Sequence, residues 1–294
     1  MSNAPPSLSV LLLCWNHAPY LEQCIRALAA QDRTTVEILF LDNASSDGSP
    51  EIARRLFREC GLPAKMLSND QPHGISANFN RLLNESSGEL VAVLSTDDWY
   101  EPGYVAAMRQ AAVVDTKAGW FTCGGYYFFE DEGTRVPVND GRFRGGDVLE
   151  ALLVGEDPFF FVGCCYRRAA LLEVGAWDEA LPIEDRDLFL RLAQRYPVHT
   201  VFERLVNYRR ASNTASANPE FMARGLDAFF AKHQAAFGRQ WRSRYAAALR
   251  GPAVIAIDQG RLDLARKILA QAFRLFPWDP QLWRTAVYWL RQTL

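Results

Sequence analysis

The sequence predicts an α/β protein with a mainly parallel sheet and helices on both faces, followed by a smaller helical part. Three observations lead there. Over roughly the first hundred residues, short apolar runs alternate with segments whose apolar residues recur at helical spacing, the pattern of strands joined by crossover helices. The apolar runs are unbroken, as strands covered on both faces require. Beyond the polar segment Asn213-Thr214-Ala215-Ser216-Ala217-Asn218-Pro219 only helical spacing remains, so a boundary is expected there, between residues 1–217 and 218–294.

With 294 residues the chain can bury a substantial core. Hydrophobic residues at 49%, aromatic at 12% and charged at 22% describe an ordinary soluble globular protein. A net charge of −2 with both signs interspersed gives no surface for nucleic acid. The six cysteines lack C-x-x-C spacing and read as buried free thiols of a reducing compartment. No apolar stretch approaches the roughly 18 residues a membrane span needs, and no signal-peptide pattern opens the chain. A cytoplasmic location is expected.

The elements follow in order. Residues 8–13 form a first buried strand, and Pro19 starts a helix with Leu21, Cys24, Ile25 and Leu28 on one face. Residues 36–41 form a second strand that ends at Asp42-Asn43, after which Ser49-Pro50 opens a helix burying Ile52, Ala53, Leu56 and Phe57. Residues 64–67 are a short third strand, and a helix carrying Phe79, Leu82 and Leu83 ends at Gly88. Residues 90–94 form a fourth strand, and Pro102 is expected at the first position of the next helix. From Gly119 aromatic runs at 120–123, 126–129 and 159–162 read as strands of a sheet that becomes mixed. Residues 168–174 and a segment opening at Ile183 read as helices, and 261–276 with the last fifteen or so residues as a single helical hairpin without a second copy.

The fourth strand stops at Thr96-Asp97-Asp98-Trp99. Ligands of parallel sheets sit at the carboxyl ends of the strands, and two adjacent carboxylates are eased by a divalent cation carrying a phosphate. Taken alone, such a pair is more often a solvated helix cap. A second acidic group, Glu184-Asp185-Arg186-Asp187, opens a later helix, where successive residues are about 100° apart and cannot all serve one role. No G-x-G-x-x-G or P-loop pattern is present.

Several segments together resemble the inverting glycosyltransferases of family 2, which have the GT-A fold. Residues 9–31 are similar to that family's first strand and helix, and Val36-Glu37-Ile38-Leu39-Phe40-Leu41-Asp42-Asn43 to its strand ending in two acids. Gly74 to Asn80 matches a G-I-S-A-N-x-N variant, and Thr96-Asp97-Asp98 stands at the D-x-D position. Gly175-Ala176-Trp177-Asp178-Glu179 with Glu184-Asp185 resembles the acceptor-side motifs. The likeness runs over residues 8–216, and the ordered set is far more specific than any one motif.

The resemblance implies a nucleotide-sugar site with Asp42 accepting from a pyrimidine ring, Asp97 facing the ribose and Asp98 holding magnesium or manganese. Asn78, Asn80 and Arg81 become either nucleotide-side donors or helix-stabilising residues. Asp185 becomes the general base, with Glu184 as its rival. The donor would be a UDP- or dTDP-sugar, the acceptor a glycan or lipid-linked hydroxyl in cell-surface polysaccharide assembly. Two departures stand out: Ala211 occupies the place of a metal-site His after Tyr208-Arg209-Arg210, with Ser212, Asn213 or water as substitutes, and Asn43 replaces the second acid of the strand end. They support an alternative, a degenerate member acting as a nucleotide-sugar-binding or scaffold protein. A nucleotidyltransferase reading lacks its glycine-rich, basic phosphate loop. The four histidines are expected to be structural or superficial. In the last helix Trp283, Ala286, Val287 and Leu290 form one stripe, expected to pack on the neighbouring helix, with peripheral contact at the inner face of a membrane as the other outcome.

Overall fold

Seven consecutive buried residues make β1 (Leu8–Cys14) an interior strand, paired in parallel on one side with β2 (Val36–Asp42) and on the other with β4 (Leu90–Ser95). The structure, a computed structural model, describes residues 5–34, 36–210 and 217–293. Between these strands run α1 (Leu21–Ala29), α2 (Ser49–Glu59), β3 (Ala64–Ser68) and α3 (Ile75–Glu85), and β3 extends the parallel ladder from β2. Leu8, Val10 and Leu12 of β1 share a core with Leu21, Ile25 and Leu28 of α1 and with Leu56 and Phe57 of α2. Leu11, also fully buried, faces the other way because side chains alternate along a strand. The sheet is therefore covered on both sides, as the unbroken apolar runs predict.

The sheet becomes mixed beyond β4. After β5 (Trp99–Tyr100) and α4 (Tyr104–Val114) come β6 (Trp120–Phe129), β7 (Thr134–Pro137), α5 (Leu149–Leu153), β8 (Cys165–Arg167), α6 (Arg168–Glu173), α7 (Glu184–Ala193) and β9 (Val198–Arg210). Among the described residues the strand order is β3-β2-β1-β4-β8-β6-β9-β5, with β7 on β6. β8 runs antiparallel to β4 and β6, whereas β9 is parallel to β6.

Three expectations are corrected, and one strand was not anticipated. Residues 120–129 form one strand, not two, and its register on β9 shifts at Gly124 and Gly125. A side chain at Gly125 would overlap the Phe160 ring, so the glycine lets ring and strand meet. Residues 159–162 are irregular; the chain turns at Gly163 (φ 72°) and pairs only from Cys165. Pro102 precedes α4 by two residues, since Gly103 takes the entry turn at φ 90°. The 13-residue β9 has no simple sequence signal because its charged residues sit among its buried ones.

By internal contacts the chain divides into two units, residues 1–149, 157–179 and 188–210 in the first and 150–156, 180–187 and 211–294 in the second. The second contains α8 (Pro219–Lys232), α9 (Gln234–Phe237), α10 (Trp241–Ala248), α11 (Arg250–Asp258), α12 (Leu262–Leu275) and α13 (Pro280–Thr293). Asn218 caps α8 through bonds from the Glu220 and Phe221 amides, each 3.1 Å, and Pro219 takes the first helical position.

The expected stripe on α13 is also corrected. Leu282 and Thr285 are buried, Ala286 and Trp289 half-buried, and Trp283, Val287 and Leu290 are 57%, 47% and 48% exposed. The inward stripe is displaced by about one residue because Thr285 satisfies its hydroxyl on Gln281 O at 3.0 Å and can be buried. Trp289 meanwhile donates its indole N–H to Leu262 O at 3.0 Å.

Gly88, just before β4, is the tightest backbone approach in the parallel layer. A Cβ there would lie 2.5 Å from Ser9 N and 2.9 Å from Leu8 C, atoms fixed by the β1 ladder. Gly88→Ala should therefore cost about 1–3 kcal/mol. Gly74→Ala meets nothing within 4 Å and should change stability by less than about 0.5 kcal/mol. Urea denaturation of both variants checks the contrast.

Candidate active site

Parallel pairing brings the carboxyl ends of β1, β2 and β4 to one edge. Cys14 lies opposite Asp42, and Leu13 opposite Ser95. The loops after β1 and β2 are laced together by short polar bonds. Asn16 N donates to Ser45 Oγ at 2.8 Å, Ser46 N to Asn16 Oδ1 at 2.9 Å, and Ala18 N to Asp47 Oδ2 at 2.9 Å. Asn16 (φ 56°) and Ala44 (φ 58°) both adopt left-handed backbone, which is costly for alanine and is held in place by this lacing. Trp15, 54% exposed, directly follows β1 at this edge.

Asp42 is 3% exposed. Its Oδ2 accepts from Ser45 N at 3.0 Å, whereas its buried Oδ1 has no hydrogen-bond partner. Asn43 explains its own presence in place of an acid: its Oδ1 accepts from His73 N and Asn69 Nδ2, each at 2.8 Å, while its Nδ2 donates to His73 O at 3.0 Å. An aspartate could not donate. Asn43 is thus a two-way latch on the loop that precedes α3.

Asn78 and Arg81 hold the same loop. Asn78 Nδ2 donates to His73 O at 3.2 Å and its Oδ1 accepts from Asn69 Nδ2 at 2.7 Å, while Arg81 Nη1 reaches Ser68 O at 2.9 Å and also Asn69 Oδ1. Asn80 turns elsewhere. Its Nδ2 donates to Trp177 O and Glu179 Oε1, each at 2.8 Å, and its Oδ1 accepts from Trp177 N at 3.1 Å. Phe79 stacks on Trp177 with centroids 5.2 Å apart. α3 therefore grips the Gly175–Glu179 motif directly, and these amides serve the protein frame.

At the end of β4 the two acids of the turn differ. Asp98 is 4% exposed and its Oδ1 accepts from Arg209 N at 2.8 Å. Burial, and secondarily the Asp97 charge, hold its carboxyl well above the usual range. Asp97 is half-buried, and its Oδ1 lacks a hydrogen bond and lies 3.9 Å from His17 Nδ1. That ring nitrogen is 2.9 Å from Thr96 Oγ1. Desolvation lowers the His17 pKa despite Asp97, which favours the neutral imidazole.

Arg209 organises this turn. Its Nε donates to Asp97 O at 2.8 Å, its Nη2 to Gln23 Oε1 at 2.6 Å, and its Nη1 pairs with Glu130. The guanidinium also lies 4.5 Å from the Tyr20 ring centroid and 5.1 Å from that of Trp99. Ala211, Ser212 and Asn213 lie outside the described residues. Among the described residues no group of three or more His, Cys, Asp or Glu is suited to hold an ion, so a cation here would share its coordination with phosphate oxygens. The orphaned Asp97 oxygen and the nearby neutral imidazole fit such a cation better than the committed Asp98.

Glu184, Asp185 and Asp187 occupy the first turn of α7, in the second unit. Burial, then the neighbouring Asp185 carboxylate, raise the half-buried Glu184 to about 8. Glu184 therefore keeps its proton near neutral pH. Asp185 Oδ1 accepts from Arg186 N at 2.7 Å. Sequence reasoning gave no role to Trp15, His17 or Arg209; the signal for the first two was their place directly after a buried strand, and for Arg209 its place in the Tyr208-Arg209-Arg210 run.

A family model described as Glycosyl transferase family 2 matches residues 9–175. A Campylobacter jejuni protein named GalNAc(5)-diNAcBac-PP-undecaprenol β-1,3-glucosyltransferase is 26% identical over 222 residues, 72% of this chain and 69% of its own. The chain spans 48% of the length of one other curated relative and 18% of another. Among solved structures, Staphylococcus aureus TarS 1–349 with UDP-GlcNAc aligns over 92% of this chain and 89% of its own at TM-score 0.63 and 15% identity. The Pyrobaculum calidifontis mannosyltransferase PcManGT, with GDP-Man and Mn2+, aligns over 99% and 87% at TM-score 0.63 and 19% identity. At such identities the structural likeness establishes the fold.

Removing Asp98 should strand a buried backbone N–H, so Asp98→Ala is expected to cost about 1–3 kcal/mol. Asp97→Ala should cost less than about 0.5 kcal/mol because its buried Oδ1 has no hydrogen bond to lose. Thermal unfolding without ligand checks both; equal losses would overturn the division of roles.

Proposed function

The chain belongs to glycosyltransferase family 2, and from that premise we propose that it moves a sugar from a nucleoside-diphosphate sugar to an acceptor hydroxyl with inversion at the anomeric carbon. The observation that carries this reading is a pair of buried carboxylate oxygens without partners, Asp42 Oδ1 and Asp97 Oδ1, at the shared carboxyl edge of β1, β2 and β4. Buried acceptors left open in a native protein call for an outside partner. A pyrimidine ring N–H suits Asp42, and the exposed Trp15 ring offers it a stacking face. Asp97 faces the ribose and diphosphate side, and a UDP- or dTDP-sugar is the donor.

Asp97, with His17 beside it, would hold a magnesium or manganese ion; Asp98 supports them from within. When bound, the ion neutralises charge on the departing diphosphate. The acceptor oxygen attacks the anomeric carbon as Asp185 removes its proton, and the bond from that carbon to the diphosphate oxygen breaks in the same step. Burial and the neighbouring Asp185 raise the pKa of Glu184, which favours its protonated form and makes Asp185 the better base. Protonated Glu184 is suited to donate a hydrogen bond to the acceptor or to Asp185. The degenerate reading loses the support of Asn43, whose amide does structural work that an acid could not.

For the acceptor we propose a lipid-linked glycan, as the name of the Campylobacter relative suggests. No described helix is long and apolar enough to cross a membrane. α13, however, carries exposed Trp283, Val287 and Leu290 beside Arg284 and Arg291, has no acidic residue, and follows Trp278, which is 80% exposed. Trp283 bonds its indole N–H to Pro277 O at 2.8 Å, so the ring can enter an apolar layer without stranding a donor. Apolar and aromatic residues flanked by arginines, without carboxylates, complement an anionic bilayer surface.

Asp185→Asn should slow transfer by about 10² to 10⁴-fold while leaving donor affinity intact. Thermal shifts and turnover with a panel of nucleotide sugars, with and without manganese, measure both; retained turnover in Asp185→Asn but loss in Glu184→Gln would move the base by one residue. The membrane face has its own check. The protein should float with phosphatidylglycerol-containing vesicles and much less with neutral ones, and Trp283→Ser/Leu290→Ser should abolish flotation. Self-association unaffected by vesicles would show instead that the face meets a second copy.

A further inference from the structure

We propose that α8 clamps the first turn of α7, making Asp187, His233 and Gly225 positioning residues for the acceptor-side base. The proposal rests on Asp185 as that base. Two anchors bracket Glu184 and Asp185. On one side, Gly225 of α8 lies against Ile183 so closely that a Cβ would overlap Ile183 Cγ1. On the other, Asp187, fully buried, accepts at Oδ1 from His233 Nε2 at 2.7 Å and pairs with Lys232 Nζ at 2.6 Å.

These contacts come from one line along α8. Gly225, Phe229 and Lys232 with His233 recur at intervals of three to four residues, which puts them on a shared face. Phe229, on the same face, is buried, with its ring centroid 4.9 Å from that of His233. A helix first turn is otherwise the part most prone to fray, since its leading N–H groups lack intrahelical partners. Here it is fixed at residues 183 and 187, and the two acids between them inherit that placement.

The chemistry also calls for two different carboxylates within one turn. Lys232 pairs with Asp187 and His233 hydrogen-bonds it, so a third acid is buried next to the reacting pair with its carboxylate partnered. Asp187 therefore works through Asp185 and has no contact with substrate assigned to it. On this view the C-terminal helices are part of the acceptor-side machinery, and their fit on residues 183–187 sets the rate.

The test compares Asp187→Asn, His233→Gln and Gly225→Ala with wild type and Asp185→Asn, using the full chain with UDP-GlcNAc, UDP-glucose and GDP-mannose plus manganese as probes. Hydrogen exchange of peptides covering residues 181–190 is followed alongside. The clamp variants should keep donor KM within about twofold and lose kcat by about tenfold or more, as small misplacements of a catalytic group do. Exchange at residues 184–187 should quicken in each. Tyr245→Phe, which removes a hydroxyl bonded to Asp227 and Gln271 in the same helices, should lower Tm while leaving kcat and that exchange unchanged. Unchanged exchange in Asp187→Asn and Gly225→Ala, or kcat within about twofold of wild type while Asp185→Asn is inactive, overturns the clamp alone. Full turnover by Asp185→Asn overturns the base assignment, and the clamp as a catalytic device with it.

Discussion

Arg209 sits beneath the acidic turn at the end of β4, and the geometry of that edge of the sheet depends on it. Its main-chain N–H holds Asp98, and its guanidinium reaches the Asp97 carbonyl, Gln23 of α1 and Glu130 beyond β6. One side chain, 4% exposed, thereby ties the turn after β4 to α1 and to the far half of the sheet. Burying a guanidinium is costly unless its donors are met in good geometry, and three aromatic rings, Tyr20, Trp99 and Phe128, close around it. The consequence falls on Asp97. With its backbone pinned from below, its half-buried side chain keeps a buried oxygen without a hydrogen bond.

The second constraint is the lacing of the loops after β1 and β2. Asn16 and Asn43 each use a carboxamide as donor and acceptor or as a bridge between loops, and each stands where backbone N–H groups would otherwise be stranded at a strand end. This is rigid support for a site on loops, where binding residues usually sit but precision is hardest to obtain. Asn80 carries the same logic to the Trp177 loop. An alteration in α3 is thus felt at the Gly175–Glu179 motif.

Much of this was legible in the sequence where a local pattern decides the outcome. Unbroken apolar runs gave β1, β2 and β4, and parallel pairing made the acids that end them neighbours at one edge. What escaped depends on partners far along the chain. Asp98 and Arg209 are 111 residues apart, so nothing near the Asp97-Asp98 dipeptide says which acid turns inward. β9 mixes charges with buried residues because Arg209 and Asn207 are interior side chains with partners, and a period-two search rejects such a strand. α13 misled in the opposite sense, since one buried threonine displaced the inward stripe.

The carboxylates then sort by what their oxygens find, and adjacency in sequence is a poor guide to the result. Asp97 and Asp98 are neighbours with opposite assignments: one bonds a backbone amide in the interior, the other keeps an oxygen free. Glu184 and Asp185 are neighbours too, both half-buried, and each acts on the other's charge. Burial, and then the Asp185 carboxylate beside it, raise Glu184 to about 8. Two carboxyls forced apart in proton affinity can act as donor and acceptor in one site. Asp187 completes the set as a fully buried acid held by Lys232 and His233. A helix opening with three acids thereby sets them in three different surroundings, and the distinction comes from partners and neighbouring charge rather than from residue type.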